Sequence, residues 1–128
     1  MVFRSIEFTT NTAIPDFGEV EHVFMFCTFE QLDDEKIATN VESTFLGCRF
    51  KDIDFYWTLF NNVLFHDCTF ENCTFRGVSF AGCRFVDCSF ESCVCTQDNL
   101  GGSCTFKGTR WYGCKPNNCV GWKGVVWH

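Results

Sequence analysis

The sequence predicts an all-β solenoid, a coil of short extended segments and corners with its large side chains aimed at the axis. Three observations predict it. From Thr44 to Tyr112 a large apolar residue returns every fifth position: Phe45, Phe50, Phe55, Phe60, Phe65, Phe70, Phe75, Phe80, Phe85 and Phe90, with Cys95 and Leu100 continuing the count. The residue two places before each is mostly small, as at Cys48, Cys68, Cys73, Cys83, Cys88 and Cys93, with Ile53, Thr58, Val63 and Val78 between them. The two residues after it are turn formers, as at Lys51-Asp52, Asn61-Asn62, Glu71-Asn72 and Ala81-Gly82.

A period of five fits neither an amphipathic helix nor plain strand alternation. Within each unit the large residue and the small one are two apart, which in an extended segment puts both on one face. Turn chemistry at every fifth position supplies a corner between segments. Internal repetition of this kind marks a stack in which each unit buries its face against the next.

Units such as Cys68-Thr69-Phe70-Glu71-Asn72, Cys73-Thr74-Phe75-Arg76-Gly77 and Cys83-Arg84-Phe85-Val86-Asp87 resemble the pentapeptide-repeat family, with Cys in place of its usual Ala and Phe in place of its usual Leu. The resemblance implies a right-handed quadrilateral β-helix with four five-residue sides per coil, here roughly four to five coils. Residues twenty apart then stack. Phe45, Phe65, Phe85 and, past one extra residue near Gly101-Gly102, Phe106 form one expected ladder; Phe50, Phe70, Phe90 and Trp111 form the next. Stacked strands lie about 4.8 Å apart, a spacing that suits offset rings.

The 128 residues suit one domain. Residues 1–40 are expected to be an irregular cap, a partial coil and a charged loop; 41–113 the regular repeats; 114–128 a C-terminal cap or dimerisation segment. Phe3 and Phe8 are five apart, but Thr9-Thr10-Asn11-Thr12 and Pro15 break the pattern. Phe24 and Phe29 look like two units in another phase, and His22 falls at an inward small position. Asp33, Asp34 and Glu35 mark the tip of an inserted loop, either a solvated connection or a binding element, since loops on rigid scaffolds often carry function.

Tyr56, Trp57 and Leu59 point outward by the repeat count, as does Leu64 one side further on. Outward aromatics in a cluster can mark a partner site; the alternative is that the N-terminal segment or the 33–40 loop folds back over them. Val120 and Val125 lie two before Trp122 and Trp127, so a last partial coil either caps the stack or pairs with a second copy. The resemblance favours a homodimer through this C-terminal end.

Eleven cysteines read chiefly as reduced, small buried hydrophobes. Stacked pairs such as Cys68 and Cys88 have parallel side-chain vectors that suit no disulfide, and no His joins the cysteines at metal-ligand spacing. The net charge is −6, without the basic stripe that nucleic-acid binding needs. No signal-peptide pattern opens the chain, and no apolar run reaches the ~20 residues of a membrane helix, so the expected location is cytoplasmic.

His66-Asp67 is ordinary turn chemistry at a corner. Glu71 and Glu91 are expected to stack outward without forming a poised acid–base pair. No phosphate-cradling loop or nucleophile elbow appears. The expectation is a non-enzyme without metal or cofactor that binds a protein partner, a toxin or effector among the candidates. One alternative, implied by the resemblance, is a DNA mimic acting on type II topoisomerases. The repeat run counts against it, with eight acids set against six bases. The other is an assembly role through the Trp-rich C-terminal end.

Overall fold

The computed structural model describes residues 1–9, 21–32, 40–122 and 125. Among these every regular element is a short parallel strand, and the strands form four walls. The first wall stacks Val2–Arg4, Val23–Met25, Thr44–Leu46, Leu64–His66, Arg84–Val86 and Arg110–Tyr112. The second stacks Glu7–Phe8, Thr28–Glu30, Arg49–Lys51, Thr69–Glu71, Ser89–Glu91 and Lys115–Asn117. The third holds Asp54–Tyr56, Thr74–Arg76 and Val94–Thr96, and the fourth Asn40–Val41, Leu59–Asn61 and Ser79–Ala81. The chain visits the walls in that order, so each circuit is one coil of a four-sided β-solenoid.

The middle residue of each three-residue strand faces inward because its two neighbours must face out. Columns of stacked rings result on all four walls, the two longest on the first and second. Phe3, Phe24, Phe45, Phe65, Phe85 and Trp111 stack along the first wall at centroid spacings of 5.1, 5.2, 5.2, 4.6 and 4.1 Å. Phe8, Phe29, Phe50, Phe70 and Phe90 stack along the second at 5.0, 4.9, 4.7 and 4.8 Å. Rings on neighbouring walls meet edge to face, as Phe65 and Phe70 do at 65°. Both geometries are favourable for aromatic quadrupoles.

Corners turn because the second residue after each ring adopts a left-handed conformation. Asp52, Asn62, Asp67, Asn72 and Asp87 do so with φ between 52° and 55°, a region that Asx residues tolerate. Phe26, at φ 56°, and Trp57, at φ 58°, are the bulky exceptions, in a conformation that costs an ordinary L-residue about 1–2 kcal/mol.

The cysteines other than Cys95, which stands at the ring position of Val94–Thr96, fill the inward small positions and do more than occupy space. Cys68 Sγ donates to the Phe45 carbonyl at 3.4 Å, Cys88 to Phe65 at 3.3 Å and Cys114 to Phe85 at 3.4 Å. The same step recurs at Cys73, Cys83 and Cys93. Each thiol thus hydrogen-bonds the main chain of the coil below, a weak bond that Ala could not make. All eleven are free, and burial pushes the Cys83 thiol up to about 11.

Two sequence expectations need correction. Phe3 and Phe8 are not irregular: they continue both ring columns below Phe24 and Phe29. The insertion near Gly101-Gly102 is six residues, not one. Phe106 stacks on Phe80 at 5.6 Å and Trp111 on Phe85, an offset of 26 where the regular coil uses 20. Leu100 is 83% exposed because residues 97–103 leave the coil as a loop, closed on itself by the Asp98 N–H to the Gly102 carbonyl at 2.9 Å. His22 is buried against Phe3 and Phe24, at the inward small position expected for it.

Candidate functional surface

A solenoid packed along its axis offers its walls, corners and ends. The residues singled out in the sequence do not share one wall. Tyr56 is half-buried on the third wall, Trp57 turns the following corner, Leu59 lies on the fourth wall and Leu64 on the first. Tyr56 and Trp57 do pack together, ring centroids 4.9 Å apart.

Among the described residues, the segment that reaches them is the 97–103 loop. Trp57 Nε1 donates to Asp98 Oδ2, and the Asn99 N–H donates to the Tyr56 hydroxyl at 3.3 Å. Asp98 Oδ1 in turn accepts the N–H groups of Leu100 (2.8 Å) and Gly102 (2.7 Å). Those bonds, the one from Gly102 foremost, hold the Asp98 carboxyl below its ordinary range. Trp57 remains 48% exposed. The turn-forming string Asp98-Asn99-Leu100-Gly101-Gly102 was the available signal: an Asx residue followed by two glycines closes a loop. Its target was not legible, because it depends on the 26-residue offset.

At the far end Trp122 folds across the open stack. Its ring lies 5.2 Å from Phe90, 5.4 Å from Phe75 and 5.8 Å from Trp111, and its Nε1 donates to the Cys93 carbonyl at 3.2 Å. It is only 9% exposed, while Val120 at the edge is 65% exposed; Val125 is half-buried against the same core. Asp33, Asp34, Glu35 and Trp127 lie outside the described residues.

The walls differ in charge. The second wall is compensated: Arg49 binds Glu71 through two bonds of 2.7 and 3.2 Å, and Glu91, stacked on Glu71, accepts from Asn117 at 2.7 Å. On the third, Arg76 pairs with Asp54 at 3.2 Å. The first wall carries no carboxylate at any outward strand position. Arg84 and Arg110 are exposed, stand in register on adjacent strands, and make no ion pair among the described residues. Leu46, Leu64, Val86 and Tyr112 surround them; the acids Asp67 and Asp87 are confined to its corner. Like charges set directly opposite one another in a sheet are unfavourable, and in a chain of net charge −6 an unpaired arginine pair is conspicuous.

Among the described residues no group of three or more His, Cys, Asp and Glu could hold a metal, and no helix is long and apolar enough to cross a membrane.

Comparison with known families decides the repeat type: residues 41–98 match the family model described as pentapeptide repeats (9 copies). Residues 41–98 are pentapeptide repeats. Among solved structures, two trypsin-treated variants of QnrB1, described as a plasmid-mediated fluoroquinolone resistance protein, resemble it. The first is 13% identical, with a TM-score of 0.45 over 93% of this chain and 52% of that one; the second is 11% identical, with a TM-score of 0.42 over 92% and 66%. The chain therefore spans about half to two thirds of those structures' length. No match was found among curated proteins.

Proposed function

We propose that this pentapeptide-repeat chain is a non-enzymatic protein-binding module whose first wall is the docking face. The observation that carries the reading is the Arg84–Arg110 pair, stacked in register without a carboxylate on their wall. A partner that presents carboxylates among apolar side chains would neutralise the arginines while covering Leu46, Leu64 and Val86. Charge complementarity of that kind suppresses wrong partners and speeds encounter. Binding and neutralising a toxin or effector protein in the cytoplasm falls within this class. Tyr56 and Trp57 form a second, smaller candidate surface on the third wall and its corner, already engaged by the Asp98 loop, with Leu59 beyond it on the fourth wall. The acidic segment at Asp33, Asp34 and Glu35 stays a candidate contact for a basic partner.

The test is capture of partners on the immobilised chain, with Arg84→Glu/Arg110→Glu compared against Arg49→Glu on the second wall. The reading expects the captured protein to be lost with the first-wall variant and retained with the second. Equal retention by both removes the first wall, and no partner at micromolar affinity removes the module itself.

A gyrase-directed DNA mimic ranks below this reading. Its walls would need columns of unopposed acids, whereas on the second wall Lys51 and Arg49 interrupt the acids Glu30, Glu71 and Glu91. Altered supercoiling by gyrase in the presence of the chain would reverse the ranking. A homodimer through Val120, Trp122, Val125 and Trp127 is the remaining assembly reading, and sedimentation tests it; because Trp122 already covers its own stack, such a dimer would have to use the exposed edge at Val120.

A further inference from the structure

The first wall is apolar on both faces. Its inward face is the ring column, and its outward positions form two rows, one on either side of the rings. The row before the rings holds Val2, Val23, Thr44 and Leu64 and ends on Arg84 and Arg110. The row after them opens with Arg4 and holds Met25, Leu46, Val86 and Tyr112, with His66 between Leu46 and Val86. At the corner beside this row Phe26 is 61% exposed, its ring lying over Gly47. The second wall, by contrast, is polar or charged at every outward strand position. Strands such as Val23-Phe24-Met25 have the composition of a parallel sheet covered on both sides, and the usual cover of such a sheet is helix.

The wall's dimensions set the shape of the cover. Its strands are three residues long, so it is about 10 Å wide at about 3.3 Å per residue, the breadth of one α-helix with its side chains. Its six strands, about 4.8 Å apart, make it about 24 Å tall, the length of about 16 helical residues. An added strand has no place on this face, because the main-chain groups are spent on the ladders within the wall and strand addition needs an edge. Arg84 and Arg110 stand one strand apart along the axis, about 4.8 Å, close to the rise of about 4.5 Å between helix positions i and i+3. Two carboxylates at that spacing meet one arginine each. A second copy of this wall would bring no carboxylate to them, since its outward strand positions have none.

We infer that the occupant of the first wall is a single amphipathic α-helix of a partner protein, laid along the solenoid axis between the two rows with its acidic flank over Arg84 and Arg110. The inference rests on the first wall being the docking face and adds the form of what docks there. The helix's apolar stripe covers Met25, Leu46, Leu64 and Val86, as an amphipathic helix does in a hydrophobic groove. Its carboxylates relieve the like-charge pair of arginines. Asp67 and Asp87, at the corner beside Val86, repel acids from the other flank, so the wall fixes how the helix is rotated about its own axis. Arg4, in the other row at the far end, has its guanidinium 3.7 Å from Met25 Sδ and no ion pair among the described residues, and it takes a carboxylate at the helix's opposite end.

The experiment titrates the full methyl-labelled chain with synthetic peptides of about 16 residues. One has Leu at helical spacing and Glu on its flanks, the second has Lys in place of that Glu, and the third has the first one's composition with Leu and Glu alternating. The first is expected to gain helical circular dichroism on binding and to shift the Leu46, Leu64 and Val86 methyls. The Lys peptide should bind at least about tenfold more weakly, and the alternating peptide should leave those methyls unmoved. In Arg84→Glu/Arg110→Glu the preference for Glu over Lys should invert. If the alternating peptide shifts those methyls as tightly as the helical one, the helix is overturned and the docking face stands. The absence of first-wall shifts with every peptide also overturns the helix; the docking face falls with it only if partner capture is indifferent to Arg84→Glu/Arg110→Glu. Self-association of the chain alone that moves the same methyls makes a second copy the occupant and overturns the inference. The peptide comparison on the unaltered chain decides the matter even if the variant fails to fold.

Discussion

Trp57 reaches over the corner of the next coil, at Gly77, to donate its indole N–H to Asp98, forty-one residues later in the chain. This bond ties the 97–103 interruption of the coil to the bulkiest of the left-handed corners among the described residues.

The tie is expected to depend on pH. Asp98 has a folded-state pKa below its ordinary value, so its contribution is fully present above the unfolded carboxylate pKa of about 3.9 and is lost as pH falls through the lower folded value. The Trp57 Nε1–H resonance should hold its position from neutral pH to about pH 4 and move upfield below that. A shift centred near pH 6 would assign the bond to another group.

Gly77 should resist substitution for two reasons. Its φ is +57°, and an added Cβ would stand 2.8 Å from Asp98 Oδ2 and 3.1 Å from Trp57 Cδ1. Gly77→Ala is expected to cost about 1–3 kcal/mol, the scale of a residue held in a disfavoured backbone region, and to weaken the Trp57–Asp98 bond. Combined with Asp98→Ala, the clash with Oδ2 should vanish, while the contacts with the residue-98 Cβ and Trp57 Cδ1 and the backbone share remain. Chemical denaturation of the three variants measures both.

Phe65 sits between Phe45 at 5.2 Å and Phe85 at 4.6 Å and is fully buried. Phe65→Ala should cost about 3–5 kcal/mol, the range for truncating a buried ring. Phe65→Leu keeps most of the volume and should cost nearer 1.5 kcal/mol. Similar midpoints for both would show that the ring column is not what holds the coils together.

Thiol accessibility should divide the cysteines sharply. Cys104 and Cys119 are half-buried, whereas Cys68, Cys73, Cys83, Cys88 and Cys93 are buried. In the native chain an aromatic disulfide reagent should label the first two and leave the column thiols unmodified until denaturant is added. Fast labelling of Cys68 in the native state would contradict the packed axis.

Much of this architecture was legible in the residues. The five-residue return of Phe, with a small residue two before it, specifies inward faces, corners and stacking from Thr44 to Cys95. The rest depends on what period cannot reveal. A loop's length in space is hidden when its residues happen to keep the count, which is why Leu100 reads as inward and stands exposed. Phe3 and Phe8 lacked flanking units to confirm their phase, yet they stack. The outward arrangement suffers most: Arg84 meets Arg110 only at an offset of 26, so the charge pattern of the first wall emerges with the true register.

The most direct test of the account is where a bound partner touches the coil. With the captured protein in hand, methyl-labelled chain should be titrated and its shifts followed by NMR. The docking reading predicts perturbation of the Leu46, Leu64 and Val86 methyls on the first wall, with Val94 on the third wall unmoved. Perturbation confined to Val94 and Val120, with the first-wall methyls unchanged, would contradict it.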